Sequence, residues 1–284
     1  MVKNVPSSVL TNGGGEAYHG YWAQDIYSVN SHFGDEADLL ALSNALHARN
    51  MLLMVDVAPN HMGSGPVSQI DYRRYVPWND ERYFHPPNFN IKYNPRNQTQ
   101  IETYWIGNQN YVSLPDVNTE LPEVYSKLYT WIKELVHKYG IDGLRLDTVK
   151  HIRQSFWPKF VMSSGVFTIG EVLDGDIKLS LFLLANNRYL ATYQNFMHGL
   201  LDYATYFPAL RALTAPGQMS HLYNAVVQLP QHFKDVSLLG RFIENHDHPR
   251  FASRTNDTGL RQSAFVFNIL SDAIPIVPPP LFNV

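Results

Sequence analysis

Residues 121–147, LPEVYSKLYTWIKELVHKYGIDGLRLD, decide the fold. Val124, Leu128, Trp131 and Leu135 recur at helical spacing, so 121–139 is expected to be an amphipathic helix that Gly140 stops. The run Ile141–Leu146 follows at once as a short strand, and Asp147 stands at its end. The same rhythm occurs upstream. Residues 35–50, DEADLLALSNALHARN, put Leu39, Leu42 and Leu46 on one helical face behind Asp35 as N-cap, and the apolar Met51–Val55 then reads as a buried parallel strand. Downstream, Val166–Ile169, Leu200–Tyr203, Leu239–Ile243 and Ile274–Val277 complete six strands alternating with helices. That alternation defines βαβ units, in a barrel or a doubly wound sheet.

Composition narrows the function classes. The chain has 284 residues, 45% hydrophobic and 17% charged, with a net charge of −3. This is globular composition, with no basic surface to hold a nucleic acid backbone and no apolar run long enough to span a membrane. Residues 1–20 carry no signal-peptide pattern, which reads as cytoplasmic for the chain as written and leaves the compartment open. Cysteine is absent, which removes disulfides, thiolate catalysis and zinc–sulfur sites together. The 17 Tyr and 5 Trp suit a core and also surfaces that stack on sugars.

Polar residues gather where the strands end. The first strand runs into Asp56, Asn60 and His61; the second carries Arg145 and Asp147; the third runs into Glu171; the fifth runs into Glu244, His246 and Asp247. Any one of these could cap a helix. Their recurrence at four strands predicts a carboxylate-rich site at the carboxyl face of an α/β barrel. Arg145 and Asp147 are two apart on one strand, so their side chains point the same way, and the guanidinium would keep the carboxylate ionised. Between His61 and the helix at 121 lie about 60 residues without periodicity, far beyond the usual 2–6 of a βα loop, which marks an inserted subdomain or a lid.

Residues 52–62 (LLMVDVAPNHM), 143–151 (GLRLDTVKH), 170–175 (GEVLDG) and 242–251 (FIENHDHPRF) resemble the four signature segments of the α-amylase family, glycoside hydrolase family 13. LPDVN at 114–118 resembles a fifth, and HGYW at 19–22 the loop before them. The nearest resemblance is to the fungal branch. It implies a (β/α)8 barrel, incomplete here with strands 3 to 8, in which 1–61 and 119–284 are barrel and 62–118 is a subdomain inserted after strand 3. It implies a retaining glycoside hydrolase cleaving internal α-1,4-glucosidic bonds of starch- or glycogen-type glucans. Asp147 is then the nucleophile, Glu171 the general acid/base and Asp247 the third carboxylate, since retention needs one attacking carboxylate and one protonated carboxyl about 5–5.5 Å apart. By the same resemblance His19, Tyr21, Trp22, His61, Arg145, Lys150, His151, Gly175 and His246 contact substrate. Asn60, Glu102, Asp116 and the His151 carbonyl match ligands of a structural Ca²⁺, all hard oxygen donors. Asp56 is expected to hold Arg145 rather than to do chemistry.

Other readings stay open. A transglycosylase of the same family would share the glycosyl–Asp147 intermediate, and an inactive, truncated member would keep the motifs without the activity. A metal-dependent barrel hydrolase would draw on His246 and His248, whose i, i+2 spacing puts two imidazoles on one face of a strand, with His61 as a third. The chain also departs from the family pattern. It lacks counterparts of the first two strands, ends in PPPLFNV, and has no cysteine where secreted relatives form disulfides. Six strands cannot close an eight-stranded barrel, so residues 1–284 alone are expected to be insoluble or molten, with little activity.

Overall fold

The computed structural model describes residues 2–4, 17, 19–93, 96–173, 183–214 and 219–278, with backbone only at 2–4 and 183–187. The chain divides into two compact units, Met1–Thr168 and Ile169–Val284.

The first unit opens with β1 (Val2–Asn4) antiparallel to β2 (Ala23–Val29), an element that the sequence reading did not anticipate. Helix α1 (Glu36–His47) follows, with Asp35 as its N-cap in a capping box with Asp38. Strand β3 (Met54–Val57), helix α2 (Gln98–Thr103), a short hairpin β4–β5 (Ile106–Gly107, Ser113–Leu114), helix α3 (Pro122–Tyr139), strand β6 (Gly143–Leu146) and helix α4 (Trp157–Ser164) complete it. β3 and β6 are parallel, with Asp56 opposite Arg145. Gly140 ends α3 in the left-handed conformation, φ 59°, where a side chain would be strained. The face of α3 buries Val124, Leu128 and Trp131, and α4 packs Trp157 and Phe160 beneath it.

Two expectations are corrected here. The strand expected at Met51–Val55 begins at Met54 and is not buried, since Leu52 is 76% exposed and Met54 48%. In α1 the expected apolar face is only partly covered: Leu39 and Leu46 are half-buried, Leu42 is 50% exposed, and Ser43 is the buried residue. Periodicity marks a face, but burial needs a distant element to cover it.

The second unit begins within β7 (Phe167–Gly170) and continues through α5 (Leu183–Thr192), β8 (Gly199–Leu200), α6 (Tyr203–Thr214), α7 (Met219–His232), β9 (Gly240–Arg241), α8 (Thr258–Leu270) and β10 (Ile274–Pro275). β7 pairs with β8 and β9 with β10, all parallel. Its core joins Tyr203, Tyr206, Phe207 and Phe242 in one aromatic cluster, and Ala209, Leu213, Leu222, Ile243, Phe251 and Ala264 in another. The six strands read from sequence are therefore parallel strands alternating with helices, shorter than expected. Tyr203, expected as the end of a strand, is the first residue of a helix.

Candidate active site

In the first unit the parallel register sets Asp56 beside Arg145, and the strand period brings Asp147 to the same face. Arg145 Nη1 donates to Asp147 Oδ1 at 2.5 Å and to Asp56 Oδ1 at 3.0 Å. The Tyr21 hydroxyl donates to Asp56 Oδ2 at 2.6 Å, and its ring lies 5.7 Å from the guanidinium. Only 11% of the Arg145 side chain and 8% of that of Asp147 is exposed, so this ion pair is little screened by solvent. Burial, and next the Asp56 charge, push the Tyr21 phenol far up, which keeps it a neutral donor. Thr148, next to Asp147, holds φ 49°, an uncommon conformation for a β-branched residue that turns the chain sharply at the end of β6.

His19, Tyr21 and Trp22 form one aromatic group: His19 lies 5.8 Å from Tyr21 in a stacked arrangement and 4.4 Å from Trp22 edge-on. His61 is buried, its Nε2 at 3.1 Å from the Tyr21 carbonyl and its Nδ1 at 3.4 Å from Asn60 Nδ2; donation to the carbonyl makes Nε2 the protonated nitrogen. Lys150 is nearly buried, its ammonium 4.8 Å from the Tyr93 ring. His151 donates from Nδ1 to the Ile101 carbonyl at 2.9 Å, and burial, helped by the Lys150 charge, lowers its imidazole to about 3. This ring stays neutral.

Four oxygen donors were expected to hold a cation. Asn60 and Asp116 are both buried on paired segments, joined by the Val117 N–H donating to the Asn60 carbonyl at 2.8 Å. Asp116 Oδ2 takes a 2.6 Å hydrogen bond from His85 Nδ1, whereas Asp116 Oδ1 is buried with no hydrogen-bond partner among the described residues. Burial raises the Asp116 carboxyl to about 7, and His85 opposes that rise. Glu102 accepts from Gln98 Nε2 at 2.6 Å, and the same amide reaches the Lys150 carbonyl at 3.3 Å, next to His151. No group of three or more His, Asp or Glu forms a metal cluster among the described residues. The expected set contains two carboxylates, an amide and a carbonyl, and the orphaned Asp116 oxygen fits a hard cation in kind.

In the second unit Glu171 follows β7 directly and is 7% exposed. The Tyr203 hydroxyl donates to its Oε1 at 3.3 Å. Beyond β9, Glu244 closes the loop that carries Asp247: its Oε1 accepts from Arg250 at 2.8 Å and its Oε2 from the Phe251 N–H at 2.5 Å. Asp247 is half-exposed, with His246 Nε2 at 3.4 Å from its Oδ2. Residues 245–248 form a turn, not a strand, so the spacing that suggested a two-histidine metal face does not apply; His248 Nδ1 instead binds Asn245 Oδ1 at 2.9 Å. Gly175 lies outside the described residues. Tyr203 and Asn245 were not singled out in the sequence; Tyr203 opens the helix after β8, and Asn245 lies inside the segment FIENHDHPRF.

Parallel strands alternating with helices, and carboxylates at the strand ends, define an α/β fold of (β/α)8 type. The chain belongs to the α-amylase family, for the family model of the α-amylase catalytic domain matches residues 11–164 and 157–277. It is 44% identical over 279 residues to α-amylase 2 of Schwanniomyces occidentalis, covering 98% of this chain and 52% of that protein. Among solved structures, an α-amylase of Malbranchea cinnamomea superposes with TM-score 0.88 at 41% identity over 97% of this chain and 55% of that one. The Geobacillus thermoleovorans α-amylase, solved as a complex with acarbose, superposes with TM-score 0.80 at 30% identity over 97% of this chain and 57% of that one. The chain spans about half the length of these relatives. No described helix is long and apolar enough to cross a membrane.

Proposed function

We propose that this chain carries the catalytic residues of a retaining α-glucan hydrolase that cleaves internal α-1,4 bonds of starch- or glycogen-type glucans. The observation that carries the reading is the Arg145–Asp147 contact at 2.5 Å, flanked by Asp56 and Tyr21. An ion-paired carboxylate at a strand end is aimed as a nucleophile requires. Asp147 attacks the anomeric carbon while Glu171 gives its proton to the departing glycosidic oxygen. Glu171, now a carboxylate, takes a proton from water, which attacks the glycosyl ester and releases Asp147; two inversions give net retention. Asp247 orients sugar hydroxyls, with His61 and His246 as partners. His19, Tyr21 and Trp22 make an aromatic platform, and Lys150 and His151 serve the leaving-group side. The acarbose complex of the Geobacillus relative supports an oligosaccharide ligand. Residues 62–118 are read as the subdomain inserted into the barrel of 1–61 and 119–284.

With the full-length protein and soluble starch, iodine colour should fall ahead of reducing-sugar release, and proton NMR should show the α-anomer first. An initial β-anomer, or no cleavage, overturns the reading.

Asn60, Glu102, Asp116 and the His151 carbonyl would hold Ca²⁺, which would supply positive charge to the buried Asp116 and tie 62–118 to the barrel. Excess chelator is then expected to lower the thermal midpoint, and added calcium to restore it by mass action. A midpoint unmoved by chelator removes the metal.

A further inference from the structure

Tyr203 is buried in the aromatic cluster of the second unit, 1% exposed, with Phe242 5.1 Å away edge-on and Phe207 stacked at 6.1 Å. The polar neighbours of its hydroxyl include Glu171 Oε1 and Asn245 Nδ2, each at 3.3 Å. The direction of these bonds follows from the far end of Asn245. Its Oδ1 accepts from the Asp247 N–H at 3.1 Å, and a backbone N–H can only donate. Asn245 is therefore oriented with its NH₂ toward Tyr203. The phenol oxygen accepts that hydrogen, and its own O–H must point at Glu171. His248 Nδ1 also meets Asn245 Oδ1; burial lowers this imidazole, so it serves as a neutral N–H donor.

We infer that Tyr203, oriented by Asn245, is a positioning residue that fixes which carboxyl oxygen of Glu171 carries the proton. With Oε1 receiving the phenol hydrogen, the acid hydrogen resides on Oε2. Asn245 opposes the reverse arrangement, since turning the phenol hydrogen away from Glu171 would drive it against the amide. The hydrogen bonds run one way, from the Asp247 backbone through Asn245 and Tyr203 to Glu171, and couple the loop of the third carboxylate to the acid. The inference rests on Glu171 being the general acid. Among the described residues of this unit, the titratable and charged groups facing Glu171 include Tyr203 and His248, with Asp247, His246 and Arg254 around that histidine.

The test compares the full-length protein with Tyr203→Phe, which keeps the ring packing, on two substrates. Maltoheptaose needs a proton on its leaving oxygen, whereas fluoride leaves α-maltotriosyl fluoride without one. Tyr203→Phe is expected to lower kcat/KM for maltoheptaose about tenfold and for the fluoride less than about twofold. In protein carrying ¹³C-carboxyl glutamate, with the Glu171 signal assigned by Glu171→Gln, its titration midpoint should rise by roughly one pH unit, because a donated hydrogen bond favours the ionised form. Asn245→Asp, whose carboxylate captures the phenol hydrogen, should reproduce both changes. Equal loss on the two substrates, or an unmoved Glu171 midpoint, overturns the assignment. If the unaltered protein cleaves neither substrate, the functional reading fails by itself, and the carboxyl titration still decides the role of Tyr203.

Discussion

Glu171→Gln in the full-length protein is expected to lower starch cleavage by at least about 10²–10⁴-fold with KM little changed, the range that general acid–base catalysis supplies. The amide matches the carboxyl in shape, and its oxygen can still accept from Tyr203, so packing at this 7% exposed position should survive. What is lost is the proton for the leaving oxygen and the base for water. Two substrates separate these steps. α-Maltotriosyl fluoride bypasses the first, and azide, which attacks without surrendering a proton, bypasses the second. Azide should therefore restore turnover of the fluoride by the variant and leave starch cleavage slow. If Glu171→Gln retains half of the starch activity, Glu171 is not the acid.

Arg241→Ala is expected to cost about 3–5 kcal/mol, a large part of the roughly 5–15 kcal/mol that holds a domain together. Arg241 Nε donates to Asp202 Oδ2 at 2.9 Å, with 2% and 0% of their side chains exposed, so removing one partner strands a charge away from water. Asp202 is engaged on its other side too. It accepts from the Thr205 N–H at 3.1 Å and hydroxyl at 2.5 Å, capping the helix that begins at Tyr203, while its own N–H donates to the Gly240 carbonyl at 2.8 Å. The guanidinium also lies 5.0 Å from the Phe267 ring. Replacing Arg241 and Asp202 together by Met and Leu should recover part of the loss, because no charge is then stranded while the helix cap that Asp202 gives Thr205 is still lost. Urea unfolding of the two variants measures both effects. A loss below about 1 kcal/mol for Arg241→Ala would show that water reaches the pair.

The sequence by itself determined the helices at 36–47 and 122–139, the approximate places of the six parallel strands, and where chemistry-bearing residues fall along them. The spacing of Val124, Leu128 and Trp131, the stop at Gly140 and the cap at Asp35 are local signals, complete within a turn or two of chain, and the structure realises each of them. Asp147 and Glu171 at strand ends were legible for the same reason, since strand and terminus lie within a few residues of each other. Local signals were weak in AQDIYSV at 23–29, where Gln24 and Asp25 interrupt the apolar run, and in 62–118, whose short helix and two-residue strands have no period to read. Tertiary structure alone decided what each side chain meets. Tyr203 lies 32 residues from Glu171, and Arg241 lies 39 from Asp202; no periodicity spans such gaps. It also decided that Leu52 stays exposed in a strand read as buried, and Leu42 on a helical face read as apolar. A helical face or an apolar run is a property of neighbouring residues, whereas burial and hydrogen-bond direction are set by whichever distant segment folds against them.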